Sequence, residues 1–337
     1  MASNEFGRDV DSAIGSNRAI RTALVIGAGW VGRQIVGQFA IHGLEVVWLD
    51  QSIRALDSGL EWVVQHEAEI KSSNHDTIVR AKGQHADARD VDVHSIEEQC
   101  ATAESCVKRI RTCTSMADVG ASIDLVLETV TEQISVKRKV LELASTTFAS
   151  PVIIASNSSY FTPSILSRFV VDPSRFANFH FHVPVWRTQL VDIASSPQTS
   201  VATLDRLVEL SVRVGQYPLV QRVENPGYVF NWMLKAVLQS ALQLRVKDVA
   251  SAEDIDVAWK KVTGMPIGPF GIMDQIGIDL VYQTMSAARF VDGDAVWQPL
   301  LDQLDPLISA GRLGVKAGRG FYSYAEQPDR DEVIDHK

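Results

Sequence analysis

Along the first two thirds of the chain, short apolar runs alternate with amphipathic segments. Runs rich in β-branched residues are typical of buried strands, and they occur at 22–28, 44–49, 109–114, 123–129, 152–155, 176–182 and 189–194. Helical periodicity separates several of these runs, at 30–42 and 133–147. This repeated alternation predicts an α/β domain with a doubly wound, parallel sheet.

The pattern changes near residue 222. The sequence NPG at 225–227 interrupts it, and helical patterns follow at 229–249, 253–262, 272–287 and 297–311. We therefore predict a flexible N-terminal tail over 1–19, a Rossmann-type domain over 20–222 and an all-α domain over 223–337.

Composition and charge exclude several classes of function. The chain is 46% hydrophobic and 22% charged, as in ordinary globular proteins, and its net charge of −9 disfavours binding to nucleic acid or to anionic membranes. Three cysteines, Cys100, Cys106 and Cys113, are typical of reduced thiols rather than of a disulfide framework. The acidic N-terminus and the lack of a long apolar run predict a cytoplasmic protein.

A glycine motif follows the first predicted strand. Gly27 permits a tight turn, Gly29 lets a pyrophosphate approach the backbone, and Gly32 lets the next helix pack on the strand. The N–H groups at the start of that helix would bind the phosphates. A turn without a nucleotide is the alternative for the motif alone, but the strand before it and the helix after it favour dinucleotide binding.

A second strand ends at Asp50, at the spacing expected for a ribose-binding carboxylate. A carboxylate there favours NAD over NADP, because it repels a 2′-phosphate. We predict NAD as the cofactor, and we add Trp30 and Val31 in the turn, and Gln51 after the acid, to the residues that contact it.

Several further segments lie in a characteristic order along the chain: LVLETVTE at 125–132, ASNSS at 155–159, RFANFHF at 175–181, LVDI at 190–193, NPGYVFN at 225–231, AEDID at 252–256, GPFG at 268–271 and GVKAGRGFY at 314–322. Together they resemble the 3-hydroxyacyl-CoA dehydrogenase family, which includes gulonate dehydrogenase and lambda-crystallin-like relatives. The resemblance implies an NAD-dependent oxidoreductase that acts on secondary alcohols and forms a homodimer through its helical domain.

The resemblance also implies catalytic roles. His180 matches the family's base, Asp192 stands where the family has a supporting glutamate, and Ser159 and Asn231 would hold the substrate oxygen. A histidine near its normal pKa can take a hydroxyl proton at pH 7, and a carboxylate behind it fixes its tautomer. Each residue also has a purely structural alternative: His180 as a core histidine and Asp192 as a cap or ion-pair partner. Ser159 could satisfy a turn, and Asn231 could form a contact between helices.

Other residues are assigned by the same resemblance. Glu128 and Glu132 would line the nicotinamide side of the cofactor or bridge to the helical domain, and Asn157 would also contact the cofactor. His182 lies on the same strand face as the histidine two residues earlier, and with the nearby acid the pair could be imagined as a metal site. No further ligand spacing supports a metal, so we predict none.

Departures from the family bear on the substrate. Where the family usually has Phe-Phe-Asn-Pro, this chain has FHVP at 181–184, so His182 is new; we expect it to contact the substrate, the alternative being that it only packs. Arg187 could bind a carboxylate or a phosphate of the substrate, or lie in solvent. Trp232 replaces a common arginine. The helix that often supplies cations to CoA reads LEWVVQHEAEI at 60–70 and offers none.

Three hypotheses follow. The first is a dehydrogenase that interconverts an L-3-hydroxyacyl thioester and its 3-keto form. The second is a dehydrogenase of a small free hydroxy acid, similar to gulonate dehydrogenase, or of a specialised metabolite. The third is an NAD-binding protein without turnover.

Overall fold

The computed structural model describes residues 19–73, 106–120, 122–292 and 294–324. Contacts divide the chain into two compact units, Met1–Tyr228 and Val229–Lys337. The predicted boundary after residue 222 lies slightly before this division. Residues 1–18 of the predicted tail and Cys100 lie outside the described residues, whereas Cys106 is buried and Cys113 half-buried, and neither forms a disulfide.

The first unit contains a single mixed sheet. Its eight strands have the order β3-β2-β1-β4-β5-β6-β7-β8. Strands β1 to β6 are parallel, whereas β7 is antiparallel to β6 and parallel to β8. The bounds are β1 Thr22–Ile26, β2 Glu45–Leu49, β3 Ile110–Cys113, β4 Leu125–Glu128, β5 Ile153–Ser156, β6 Phe176–Phe181, β7 Leu190–Ala194 and β8 Tyr217–Val220.

Helices cover the two faces of the sheet, because alternate strand residues feed two separate cores. Ala23 and Val25 of β1 belong to one buried cluster, and Leu24 and Ile26 belong to the other. The helices of this unit are α1 Trp30–Ile41, α2 Ile53–Ser73, α3 Ile134–Thr147, α4 Pro163–Leu166, α5 Val185–Thr188 and α6 Val201–Arg213. Short 3-10 helices occupy Cys106–Arg109, Met116–Asp118, Ser167–Phe169 and Pro173–Arg175.

Two features of the sheet differ from the prediction. The connection from β6 to β7 contains only the short helix α5, so the strands are antiparallel neighbours rather than members of an all-parallel sheet. Strand β8 was not predicted, because Pro218 is a poor strand residue. It is tolerated because β8 is at the edge, where only one side needs ladder hydrogen bonds.

The second unit is helical in its described residues, and only isolated β-bridges occur there, near residue 319. Its helices are α7 Tyr228–Val246 (whose first residue belongs to the first unit), α8 Ala252–Thr263, α9 Pro269–Ile276, α10 Ile278–Asp292, α11 Asp294–Leu301 and α12 Asp305–Ser309. A 3-10 helix covers Val315–Ala317. The core packs around Phe270, Met273 and Trp297.

The fold class is therefore confirmed, as a Rossmann-type sheet followed by an all-α unit. Two predicted helices are each divided. Gly277, at φ 103°, separates α9 from α10 inside the predicted helix 272–287, and residues 302–304 separate α11 from α12. Across the part of the chain that is described, no helix has both the length and the apolar content needed to cross a membrane.

Candidate functional site

The turn between β1 and α1 requires two of its three glycines. Gly27 has φ 118°, and a Cβ there would lie 2.9 Å from the carbonyl oxygen of Thr129. A Cβ on Gly32 would lie 2.1 Å from the carbonyl oxygen of Gly27. The Trp48 indole donates a hydrogen bond of 3.0 Å to the same carbonyl. The chain thus holds α1 tightly against the end of β1.

The N-terminus of α1 is open. Gly29 is its N-cap, no side chain caps the helix there, and a Cβ on Gly29 would meet nothing within 4 Å. The first N–H groups of a helix have no partner within it, and they favour phosphate. Trp30 is 45% exposed at the first helical position, and Val31 is half-buried against the core.

Asp50 joins the end of β2 to this turn. Its Oδ2 accepts a hydrogen bond from the Ala28 N–H at 2.7 Å, and its Oδ1 accepts one from the Ser52 N–H at 2.8 Å. The carboxylate is half-buried and Gln51 is exposed. An open helix N-terminus beside a fixed carboxylate fits the pyrophosphate and the ribose of NAD.

At the carboxyl end of β6, His180 lies directly opposite Asp192 of β7. The distance from His180 Nδ1 to Asp192 Oδ2 is 3.4 Å, and His180 Nε2 lies 3.0 Å from the Ser159 hydroxyl. An ionised carboxylate only accepts hydrogen bonds, so Nδ1 carries the proton and Nε2 keeps its lone pair. The structure thus brings three of the four predicted catalytic residues together.

A second histidine shares the same carboxylate. His182 Nε2 lies 2.7 Å from Asp192 Oδ2, and the two imidazole rings meet edge to face at 4.8 Å. Asp192 is fully buried, and its Oδ1 has no hydrogen-bond partner among the described residues. The three side chains offer ligand atoms within 4.8 Å of one another. Hydrogen bonds already join them without an ion, and the absence of a metal remains a prediction.

The surroundings keep the histidine neutral and the carboxylate charged. Burial lowers the pKa of His180, the bond to Asp192 opposes this shift, and the neighbouring His182 adds to it. Burial alone would raise the pKa of Asp192, but the bonds from both histidines bring it below its usual range. A neutral imidazole beside a carboxylate is the state that a general base requires.

Tyr228 is a site residue that the sequence analysis missed. Its ring stacks on His180 with centroids 4.6 Å apart and planes 13° apart. Its hydroxyl donates to the Ser158 carbonyl at 2.5 Å and accepts from the Asn178 amide at 3.0 Å. Burial raises its pKa, so the phenol stays protonated. A tyrosine directly after Pro-Gly, where the family has phenylalanine, was the available signal.

Two of the predicted cofactor residues are engaged inside the protein. Glu128 is fully buried, and its oxygens bind Lys137 at 2.9 and 3.1 Å and the Ser156 hydroxyl at 2.6 Å. Glu128 therefore binds side chains in the protein interior, which conflicts with the prediction that it contacts the nicotinamide. Asn157 Oδ1 accepts the Phe181 N–H at 2.8 Å, which ties the loop after β5 to β6.

Glu132 is more accessible. It is 39% exposed, lies 3.1 Å from Lys137 and accepts the Ser158 hydroxyl at 2.5 Å. It also raises the pKa of His180, which places its charge within electrostatic reach of the base. Of the predicted cofactor residues Glu128, Glu132 and Asn157, Glu132 is the one with an exposed carboxylate, and its contact with the cofactor remains a prediction.

Arg187 does not present its guanidinium as an open anchor. It forms an ion pair with Glu69 of α2, and Trp186 donates to the same carboxylate oxygen at 3.0 Å. Burial alone would raise the pKa of Glu69, but these bonds lower it. Glu69 therefore competes with any substrate carboxylate for Arg187.

Asn231 and Trp232 belong to the second unit, on α7. Asn231 is half-buried, whereas Trp232 is 53% exposed and has the Lys235 ammonium 5.4 Å from its ring. Their assignments to the substrate rest on the resemblance of the NPGYVFN segment and remain predictions.

A protein-family model described as the NAD binding domain of 3-hydroxyacyl-CoA dehydrogenase matches residues 22–224, and its C-terminal counterpart matches residues 227–324. The chain belongs to the 3-hydroxyacyl-CoA dehydrogenase family. It is an enzyme of the oxidoreductase class that acts on CH–OH groups, and NAD is its cofactor.

Similar members of the 3-hydroxyacyl-CoA dehydrogenase family align over almost the whole chain. The human mitochondrial hydroxyacyl-coenzyme A dehydrogenase is 28% identical over 329 residues, which is 96% of this chain and 99% of the relative. The structure of (S)-3-hydroxybutyryl-CoA dehydrogenase from Ralstonia eutropha is 30% identical, with a TM-score of 0.74, and covers 91% of this chain and 100% of its own. A diketoreductase structure is 28% identical, with the same coverage and a TM-score of 0.72.

Proposed function

We propose that this enzyme interconverts an L-3-hydroxyacyl thioester and its 3-keto form, with His180 as the group that moves the proton. The observation that carries the proposal is the arrangement of the imidazole, whose Nδ1 points to Asp192 and whose Nε2 reaches the Ser159 hydroxyl at 3.0 Å. His180 Nε2 and the Ser159 hydroxyl can therefore both contact the same oxygen of a substrate.

The proton follows a short path in this mechanism. His180 Nε2 takes the hydroxyl proton of the substrate while the carbinol carbon loses hydride. Asp192 then stabilises the imidazolium from Nδ1, and Ser159 donates a hydrogen bond to the oxygen as its charge changes. In the reverse direction, protonated His180 returns the proton. NAD, held by the residues of the α1 turn, would supply the acceptor for the hydride that leaves the carbinol carbon.

The chain's own residues would hold the cofactor. The open N-terminus of α1 at Gly29 would bind the pyrophosphate, and Asp50 would accept hydrogen bonds from the ribose. The backbone bonds to Asp50 orient it before binding, which reduces the entropy lost when NAD is ordered.

A specific observation favours a second candidate, a small free hydroxy acid or dicarbonyl compound. Lys71 of α2 is bound to Glu67 at 2.8 Å, so it does not present an unpaired charge to the phosphates of CoA. The similarity to a diketoreductase, which acts on dicarbonyl compounds, supports the same candidate.

Comparing substrates separates the two candidates. NADH absorbance is followed during the reduction of acetoacetyl-CoA and during the oxidation of a panel of free 3-hydroxy acids. Turnover of the thioester at a kcat/KM at least about tenfold above every free acid is the expected result. Turnover of free acids alone would overturn the thioester proposal and support the second candidate.

We also propose that the enzyme is a cytoplasmic homodimer that pairs through its helical unit. Trp232 and Met233, near the start of α7, are 53% and 54% exposed, and large apolar side chains exposed in one segment are candidates for burial in an interface. Light scattering coupled to size exclusion is expected to give twice the chain mass of 37.1 kDa. A single-chain mass at micromolar concentration would contradict the dimer.

A further inference from the structure

One carboxylate oxygen serves two histidines unequally. Asp192 Oδ2 lies 2.7 Å from His182 Nε2 but 3.4 Å from His180 Nδ1. The shorter and stronger bond therefore goes to His182, the histidine that the proposed chemistry does not use. The other oxygen of Asp192 has no partner among the described residues, so the carboxylate has no second bond to offset this sharing.

His182 is held in place for this bond. Its backbone N–H donates to the Leu190 carbonyl, which extends the β6–β7 pairing by one residue, and its own carbonyl accepts the Thr188 hydroxyl at 2.8 Å. Its side chain is only 11% exposed. Two hydrogen bonds thus fix the backbone of His182, and its imidazole is mostly buried beside Asp192.

We propose that His182 is a positioning residue which, by holding Oδ2 of Asp192, limits how strongly this carboxylate stabilises the protonated form of His180. The inference rests on the proposed role of His180 as the base. Because a carboxylate oxygen that already accepts a short bond has less negative charge for a second donor, the imidazolium at position 180 forms less readily than it would with Asp192 to itself.

Among the described residues, four titratable side chains face His180. Asp192 faces it from β7, His182 from the same strand end, Glu132 from the loop after β4, and the Tyr228 ring covers one side. Burial and His182 lower the pKa of His180, whereas Asp192 and Glu132 raise it. The consequence is a base that stays neutral to lower pH, which widens the pH range of alcohol oxidation and narrows that of ketone reduction.

Two substitutions at one position test this role. Gln places its amide nitrogen near the position of His Nε2 and can still donate to Asp192 Oδ2, whereas Asn is too short to reach it. NMR titration of the eight histidines, with the His180 signal assigned from its own variant, reads the proton affinity of His180 without any turnover. The whole enzyme is used, with the fold checked by circular dichroism.

We expect His182→Asn to raise the titration midpoint of His180 by about one pH unit, and His182→Gln to raise it by less than half as much. The acid limb of kcat/KM for oxidation is expected to move up by the same amount. His66→Asn, a change at a histidine that bonds to the Trp62 carbonyl instead, serves as the control that leaves the midpoint unchanged.

A His180 midpoint that stays constant or falls in His182→Asn would overturn the positioning role. Equal shifts in the Asn and Gln variants would also contradict it, because the hydrogen bond would then be irrelevant. A raised midpoint in an enzyme that shows no acid limb supports the positioning role and counts instead against the proposed function of His180.

Discussion

The imidazole of His180 lies flat against the phenol ring of Tyr228, with ring centroids 4.6 Å apart. Tyr228 adopts φ 55°, a left-handed conformation that is costly for a bulky residue, and its hydroxyl is fixed by bonds to Ser158 and Asn178. The tyrosine thus holds one face of the imidazole while the carboxylate holds its edge. The orientation of the base is set by packing as well as by hydrogen bonds.

Tyr228→Phe should separate these two contributions. It keeps the ring and removes the hydroxyl, so we expect a loss of about 1 kcal/mol in the free energy of unfolding and a fall in kcat of less than about fivefold. Tyr228→Leu removes the stack as well, and we expect kcat to fall by about tenfold or more. Wild-type kcat in a folded Tyr228→Leu enzyme would show that the stack is not needed.

The cofactor preference depends on one charge in our account. Asp50→Asn keeps the size of the side chain but removes the negative charge that repels a 2′-phosphate. We expect the ratio of kcat/KM for NAD⁺ to that for NADP⁺ to fall by about tenfold or more. Glu45→Gln, at the start of the strand β2 that precedes Asp50, is the matched control and should leave the ratio unchanged. An unaltered ratio in Asp50→Asn would remove Asp50 from the ribose site.

Substitutions at Arg187 and at its partner Glu69 separate a structural role of this ion pair from a role in substrate binding. Because its guanidinium is paired with Glu69, Arg187→Ala and Glu69→Gln should each lower the free energy of unfolding by about 1 kcal/mol or less. Neither should change KM for a free acid by more than about twofold. A tenfold rise in KM in Arg187→Ala alone would restore Arg187 as a carboxylate anchor.

Buried His42 makes stability depend on pH. Burial lowers its pKa to about 4, although its Nδ1 lies 2.8 Å from the Gln38 carbonyl oxygen. In the unfolded chain this histidine titrates near 6.5. The unfolded state therefore binds more protons between these values, and the contribution of neutral His42 to stability, complete above pH 6.5, is lost as the pH falls towards 4.

The check is urea unfolding of the wild type and of His42→Asn, which keeps a hydrogen-bond donor but cannot titrate. Between pH 7 and pH 5 we expect the wild type to lose roughly 2 kcal/mol more than the variant. Equal losses in the two proteins would mean that His42 is protonated without penalty in the folded state.

Several parts of this site could be predicted from the sequence. The order of strands and helices follows from periodicity, and Gly27, Gly32 and Asp50 meet at one sheet end because parallel strands end there together. The antiparallel pairing of β6 with β7 could be anticipated from the eleven residues between His180 and Asp192, which leave room only for a short connection.

Other parts depend on side-chain partners that a linear pattern does not reveal. Glu128 is bound to Lys137, and Arg187 to Glu69, through side-chain bonds between residues far apart or on different elements. The distances from Asp192 Oδ2 to the nitrogens of His182 and His180 differ by less than one ångström, which a sequence pattern does not indicate. The helix break at Gly277 was missed because apolar periodicity continues across it.

The most direct test of the account is the turnover of His180→Gln, compared with the wild type on the better of the two substrate classes. We expect kcat to fall by about 10²-fold or more, because the group that moves the proton is lost, while the affinity for NADH, measured by fluorescence, changes by less than about twofold. A folded His180→Gln enzyme with near wild-type kcat would contradict the central claim that His180 is the base.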